Sequence, residues 1–160
     1  MTEIEQQIFE ALDKTGISYE VIRIDPDYSD TAFFCEKYGF PVEQTCNTII
    51  VTSARGEKKY AVCVCLANTR LDVNKTVKKL LGVSKASFAS NEEMNKLTGM
   101  EVGGVTPFSL TDELTLYVDE RIMKKDWVIL GGGSRAIKIK ITPEVFTVLN
   151  AKIISDLALS

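Results

Sequence analysis

The sequence predicts an α+β fold: one domain over residues 1–160, with a mixed, curved sheet of six to seven strands and flanking helices. Three observations carry this. Apolar residues recur at helical spacing at the start of the chain, as Ile4, Ile8 and Leu12, and a second helix signal, Thr142-Pro143-Glu144, stands near its end. Two β-branched runs, Cys46 to Thr52 and Lys59 to Leu66, are joined by the short turn Ala54-Arg55-Gly56-Glu57 and read as a hairpin. Between these landmarks, strand-like and short helix-like segments are mixed. The 160 residues, 45% of them hydrophobic, suffice for one domain with a substantial core.

Taken in order, Thr2 to Thr15 predicts a helix, with Thr2 and Glu5 spaced as a capping box and Gly16 as its end. Ser18 to Ile24 is rich in β-formers and predicts a strand, broken by Asp25-Pro26-Asp27. A helix beginning at Ser29-Asp30 carries Ala32, Phe33, Cys35 and Tyr38 and closes at Gly39, and Val42 to Gln44 suits a short turn. After the hairpin, Val73, Val77, Leu80 and Leu81 form an apolar stripe opposite Lys75, Lys78 and Lys79, a helix that stops at Gly82. Ser87 to Ala89 predicts a short strand and Asn91 to Leu97 a short helix closed at Gly99. Strands follow at Leu114 to Val118 and Trp127 to Leu130, with a helical turn at Asp119 to Met123. Ile137, Ile139 and Ile141 alternate with lysines as in a half-buried strand. A helix runs from Thr142 to Val148 or Leu149, and the apolar residues of Ala151 to Leu159 suggest a last one.

Composition excludes several functions. A formal charge of -3 with both signs interspersed gives no broad basic face for duplex DNA, although local contact with an RNA end stays open. The acidic Met1-Thr2-Glu3-Ile4-Glu5 is unlike a signal peptide, and no apolar run approaches the ~18 residues of a membrane span, so a cytoplasmic protein without membrane contact is expected. Cys35, Cys46, Cys63 and Cys65 are scattered and lack disulfide-framework or zinc spacing; Cys63 and Cys65, two apart in a strand, share a face as small buried hydrophobes. The chain contains no histidine, which removes Ser-His-Asp and Cys-His catalysis, and no metal or other cofactor is expected.

Two glycine-rich stretches stand out, Thr98-Gly99 with Gly103-Gly104-Val105-Thr106-Pro107-Phe108, and Gly131-Gly132-Gly133 after a strand. Each alone reads as a tight turn. Together they can wall one pocket with main-chain N–H and C=O groups, because glycine permits close backbone approach. For a protein without histidine this is a usable chemistry: a carbonyl orients water, and amides stabilise an oxyanion by roughly 10²–10³ in rate per donor.

These stretches, with Gln44-Thr45-Cys46-Asn47-Thr48-Ile49-Ile50-Val51, the strand Ala61 to Leu66, Leu80-Leu81-Gly82 and Leu130 to Arg135, resemble the YbaK and prolyl-tRNA-synthetase-associated (INS-like) editing domains, which are aminoacyl-tRNA deacylases. The resemblance runs from about Tyr19 to Leu157. It implies a free-standing trans-editing enzyme that hydrolyses a mischarged aminoacyl ester, with the Gly103 to Pro107 loop and the tRNA 2′-hydroxyl doing the chemistry. Gly103, Gly104, Pro107 and Asn47 are the implied catalytic positions. Phe34, Thr98, Gly99, Thr106, Gly131, Gly132, Gly133 and Arg135 are the implied substrate-binding ones. For Thr98 a turn cap, for Arg135 a solvated surface residue, and for one of Phe33 and Phe34 a place in the core are the competing readings. The implied partners are the acceptor end of an aminoacyl-tRNA and, optionally, an aminoacyl-tRNA synthetase. One position departs from the family pattern: Asn47 stands where a Lys is usual. An amide brings no positive charge, so the charge is missing or supplied from Lys58, Lys59, Arg70 or Arg135, and a catalytically weakened binding module is the alternative function.

Overall fold

In a computed structural model describing Met1–Ser160, the chain opens with helix α1 (Glu3–Thr15). Thr2 and Glu5 complete the capping box and Gly16 ends the helix in the left-handed conformation, φ 74°. Strand β1 (Tyr19–Arg23) leads through a 3-10 turn at Pro26–Tyr28 to helix α2 (Thr31–Tyr38), capped at Gly39. The expected hairpin is β2 (Cys46–Ser53) and β3 (Tyr60–Leu66), paired antiparallel from Cys46 opposite Leu66 to Thr52 opposite Tyr60.

Beyond it, a two-residue strand β4 (Arg70–Leu71) precedes a helical segment that begins as a π-turn at Val73–Val77 and tightens into α3 (Lys78–Leu81). Then come β5 (Ala86–Phe88), α4 (Asn91–Thr98), β6 (Thr115–Asp119), β7 (Val128–Gly131), β8 (Ile137–Ile141) and α5 (Glu144–Val148). The C-terminal segment corrects an expectation: in place of a last helix it forms β9 (Lys152–Ile154) and β10 (Ala158–Leu159). Its apolar side chains serve sheet edges, β9 beside β6 and β10 against β4. The pairing of Ala158 with Leu71 accounts for the short β4, which local pattern does not reveal.

The architecture is α+β with a mixed sheet, as the sequence predicts, but the strands divide. Five lie in the order β5-β2-β3-β6-β9, antiparallel on the β5 side of β3 and parallel beyond it; three lie in the order β1-β8-β7, all antiparallel. A single bridge, Thr45 to Ile129, ties the two together. The largest core cluster fills the space among α1, the two sheets and α5, through Ile8, Leu12, Val62, Val64, Ile137, Ile139 and Phe146. A smaller cluster of Ile24, Phe34, Cys35 and Ile129 covers the opposite face of the three-stranded sheet with α2. The β8–β7 part of that sheet is therefore buried on both faces, and the half-buried reading of β8 fails at Lys138, which is 5% exposed. The four cysteines are free and buried, Cys63 and Cys65 in one cluster.

Candidate active site

Between the start of β2, the entry to α2, the Gly103 loop and the β7–β8 hairpin lies a cavity of about 290 Å3. Its lining includes Ser29, Thr31, Asn47, Gly103, Gly131 and Lys138. The two glycine stretches meet here. The amide of Gly133 donates to the carbonyl of Gly104 at 2.7 Å and that of Glu101 to the carbonyl of Gly133 at 2.9 Å. A Cβ on Gly104 would lie 2.6 Å from the Ser134 carbonyl carbon, and one on Gly131 would lie 2.5 Å from the Val105 carbonyl oxygen. Neither position admits a side chain without moving main chain.

Side chains fasten this double loop from behind. Arg135 donates from its guanidinium to the carbonyls of Val102 (2.7 Å) and Pro26 (3.0 Å), and stands 3.9 Å from the Asp30 carboxylate. Its amide donates to Glu101 Oε2 at 2.7 Å. Glu5 of the α1 capping box is buried and accepts a 2.5 Å hydrogen bond from Ser134 Oγ. Burial pushes the Glu5 carboxyl up, but hydrogen bonds from Ser134 and the Thr2 amide outweigh it and hold the group below the usual carboxylate range.

The loop's main-chain groups are unequally available. The Gly103 carbonyl, at φ 87°, accepts from Ser29 Oγ at 2.7 Å and from Lys138 Nζ at 3.2 Å, so both lone pairs are taken. The Gly104 carbonyl serves Gly133. The Val105 carbonyl, lying over Gly131, and the Gly103 amide make no hydrogen bond within the chain.

Lys138 is the cation of the cavity, and sequence reading assigns it to solvent. It projects from the central strand of the three-stranded sheet, opposite Gly131 in β7. Its Nζ donates to the Ser29 carbonyl at 2.7 Å and lies 5.5 Å from the centre of the Phe34 ring. No carboxylate approaches it within 4.0 Å. Burial, the largest influence, pulls its pKa down to about 8; Asp30 and Cys35 act upward, and Arg135 downward. A signal for its burial exists in the unbroken apolar run Val128-Ile129-Leu130, since a strand buried on both faces implies the same for its neighbour in the sheet centre.

The structure brings Asn47, Gly103 and Gly131 to the cavity. Asn47 Oδ1 accepts from Thr31 Oγ1 at 2.6 Å. Gly104 and Arg135 lie directly behind the cavity wall, and Phe34 is fully buried against Phe40 beneath Lys138, leaving Phe33 as the exposed member of that pair. The others sit elsewhere. Pro107 faces a separate groove beside α1. Thr98 caps α4, its hydroxyl donating to the Met94 carbonyl and accepting from the Met100 amide, and Gly99 is the left-handed residue that closes the same helix. Thr106 is buried with an unpartnered hydroxyl outside the cavity lining. Gly132 and Gly133 give way to Ile137 and Ile8 in the core. Of the lysines and arginines named as substitutes for the missing charge, Lys58 pairs with Glu93 instead, and neither it, Lys59 nor Arg70 lines the cavity. No group of three or more potential ligand residues for a metal occurs, and no helix is long and apolar enough to cross a membrane.

The chain belongs to the aminoacyl-tRNA editing domain family, whose model matches residues 25–148. Among its relatives is the prolyl-tRNA editing protein ProX of Acetoanaerobium sticklandii, 30% identical over 115 residues, covering 71% of this chain and 68% of that protein. The uncharacterized protein YwhH of Bacillus subtilis is 32% identical over 111 residues, covering 64% of this chain and 70% of its own. Two solved structures share the fold at a TM-score of 0.83. One is the hypothetical protein APE2540, at 24% identity over 95% of this chain and 99% of that one. The other is a candidate trans-editing enzyme for prolyl tRNA synthetase, at 22% identity over 100% and 99%.

Proposed function

We propose that this chain acts as a single-domain, free-standing deacylase that clears a mischarged aminoacyl ester from tRNA. The observation that carries the proposal is the cavity between the Gly103 and Gly131 loops, where the Val105 carbonyl and the Gly103 amide lack partners within the chain. The Val105 carbonyl suits the attacking water and the Gly103 amide the carbonyl oxygen of the ester, while the 2′-hydroxyl of the terminal ribose assists from the substrate side. An apolar recess of about 260 Å3, lined by Ile50, Ala89 and Met94, shares Thr48, Ile49, Gly103 and Val105 with the cavity. It fits the amino-acid side chain, and a small apolar side chain is the kind that one synthetase site discriminates poorly. At the shared wall the buried hydroxyl of Thr48 has no partner, a group that a polar ligand atom would satisfy.

The test is hydrolysis of a panel of mischarged tRNAs, with and without synthetase, starting with misacylated proline tRNA because of the relative's activity. Turnover of at least one substrate is expected, and none above buffer on any would defeat the proposal. Gly103→Ala is expected to lower turnover by roughly 10²-fold, since a Cβ there meets Ser29 Oγ at 2.7 Å and the Arg135 guanidinium at 2.6 Å in a left-handed backbone. Full activity in that variant would reject the main-chain mechanism. The second reading, a binding module without turnover, is favoured only by Asn47, whose carbonyl is already engaged by Thr31. That reading requires a chain that binds the acceptor end and hydrolyses nothing.

A further inference from the structure

We propose that Lys138 is a catalytic residue of this site, its ammonium stabilising the negative charge that develops on the ester carbonyl oxygen during hydrolysis. The inference rests on the deacylase reading for its substrate and on geometry for its residue. The ammonium of a lysine only 5% exposed, held by two neutral carbonyls and with no carboxylate within 4.0 Å, is a desolvated charge left without a counter-ion. Such a group is costly unless an anion visits it. Its two carbonyl partners use two of its three N–H donors and orient the head at the wall of the cavity it lines. One of those partners is Gly103, whose own amide is unpartnered, so cation and amide flank the same loop residue.

The size of the cavity selects the anion. A phosphodiester belongs to a chain that must leave the pocket on both sides, whereas the ester carbonyl is the part of an aminoacyl end that can enter a cavity of about 290 Å3 beside Gly103. In the reaction, water oxygen bonds to the carbonyl carbon and the C=O π pair moves to the oxygen, where Lys138 meets it. Collapse of this intermediate breaks the bond to the ribose oxygen, and the proton given up by water goes to that leaving oxygen. The products are the free amino acid and tRNA with its hydroxyl restored, so no other reactant is needed. Charge stabilisation of this kind is worth little in the ground state and much in the transition state.

The experiment compares two hydrolysis-resistant adenosine conjugates, an anionic aminophosphonate ester that mimics the tetrahedral intermediate and a neutral amide that mimics the ground state. Lys138→Met is expected to weaken phosphonate binding by roughly 10²-fold while amide binding changes less than twofold, and to lower kcat by roughly 10²–10³ with KM little changed. Equal weakening of both conjugates, or a raised KM with kcat preserved, would place the ammonium on a ground-state group and overturn the proposal. If the variant does not fold, the unaltered protein answers through pH. The charged and titratable groups around the ammonium are Asp30 and Cys35 from the α2 side, Arg135 from the β7–β8 turn and Cys46 from β2; the Cys46 thiol is pushed up by burial and stays neutral. Phosphonate affinity then falls about tenfold per pH unit above about 8, where the ammonium is lost, and amide affinity stays level. Level affinity for both conjugates overturns the assignment. A protein that hydrolyses no mischarged tRNA would defeat the deacylase reading, and the phosphonate-to-amide comparison would still decide what Lys138 binds.

Discussion

Two hollows in this molecule differ in an instructive way. The larger, a groove of about 710 Å3 between α1, Pro107 and α5, is lined by solvated side chains such as Glu10, Lys14 and Asp112. The smaller, of about 290 Å3, holds a buried ammonium whose pKa is driven down to about 8, an orphaned hydroxyl and two glycines at which a Cβ would crowd its neighbours. Chemistry follows desolvation and pre-set dipoles, which strengthen electrostatic interactions, and these are properties of the smaller hollow. Volume and desolvation point to different hollows.

The largest effect is expected at the interlocked glycine wall, which only the small cavity has. Gly104→Ala places a methyl group 2.6 Å from the Ser134 carbonyl carbon and 2.9 Å from its nitrogen, both main-chain atoms that side-chain rotation cannot clear. The double loop must open. A loss of about 2–3 kcal/mol in stability, roughly 4–12 °C in Tm, is expected together with near-complete loss of deacylation. Thermal melts and the mischarged-tRNA assay check the two effects, and a variant of unchanged Tm would mean that the interlocking of the loops is not tight.

The buried charge gives the next effect, and its sign is fixed by linkage. Lys138 titrates near 8 in the folded chain and near 10.5 when unfolded, so between these values the unfolded chain binds more protons. Stability contributed by this residue therefore rises with pH across that window, by about 3 kcal/mol for the full shift. Below pH 8 the penalty of the buried ammonium is fully present. Denaturant unfolding at pH 7.5 and pH 10, with Lys138→Met as reference, should show the wild type gaining on the variant at the higher pH; a constant difference would mean that the ammonium is not desolvated.

The parts of this molecule that sequence patterns reveal are those governed by local rules. The Thr2–Glu5 capping box, the left-handed glycines that end α1, α2 and α4, and the β2–β3 hairpin are all near where periodicity and turn chemistry place them. Patterns fail where distant chain supplies the partner. The C-terminal apolar residues form strands because Leu71 and Tyr117 offer free edges, and Lys138 is buried because α2 packs on the face of β8 that alternation assigns to water. The site divides the same way. Gly103 and Gly131 are visible as glycines and Asn47 as a departure from a motif, whereas the cation that shares their cavity lies 91 positions beyond Asn47 and only the tertiary fold unites them.

The smallest effect belongs to the larger hollow. If the groove beside Pro107 is ordinary solvated surface, removing its charges changes little, and Lys14→Ala with Asp112→Ala should leave deacylation within twofold of the parent and Tm within about 2 °C, as exposed substitutions contribute roughly 0.5 kcal/mol or less. A tRNA is much larger than its acceptor end, and Lys14 and Lys152 both line the groove. A phosphate backbone crossing there would make binding depend on Lys14 and would steepen the fall of affinity with salt by about one counter-ion for each lysine engaged. Measuring KM for a full-length mischarged tRNA and for a minihelix at two salt concentrations separates the cases. Equal KM ratios for parent and Lys14→Ala leave recognition confined to the small cavity, while a tenfold rise in KM for the long substrate alone would make the groove a track for the acceptor stem.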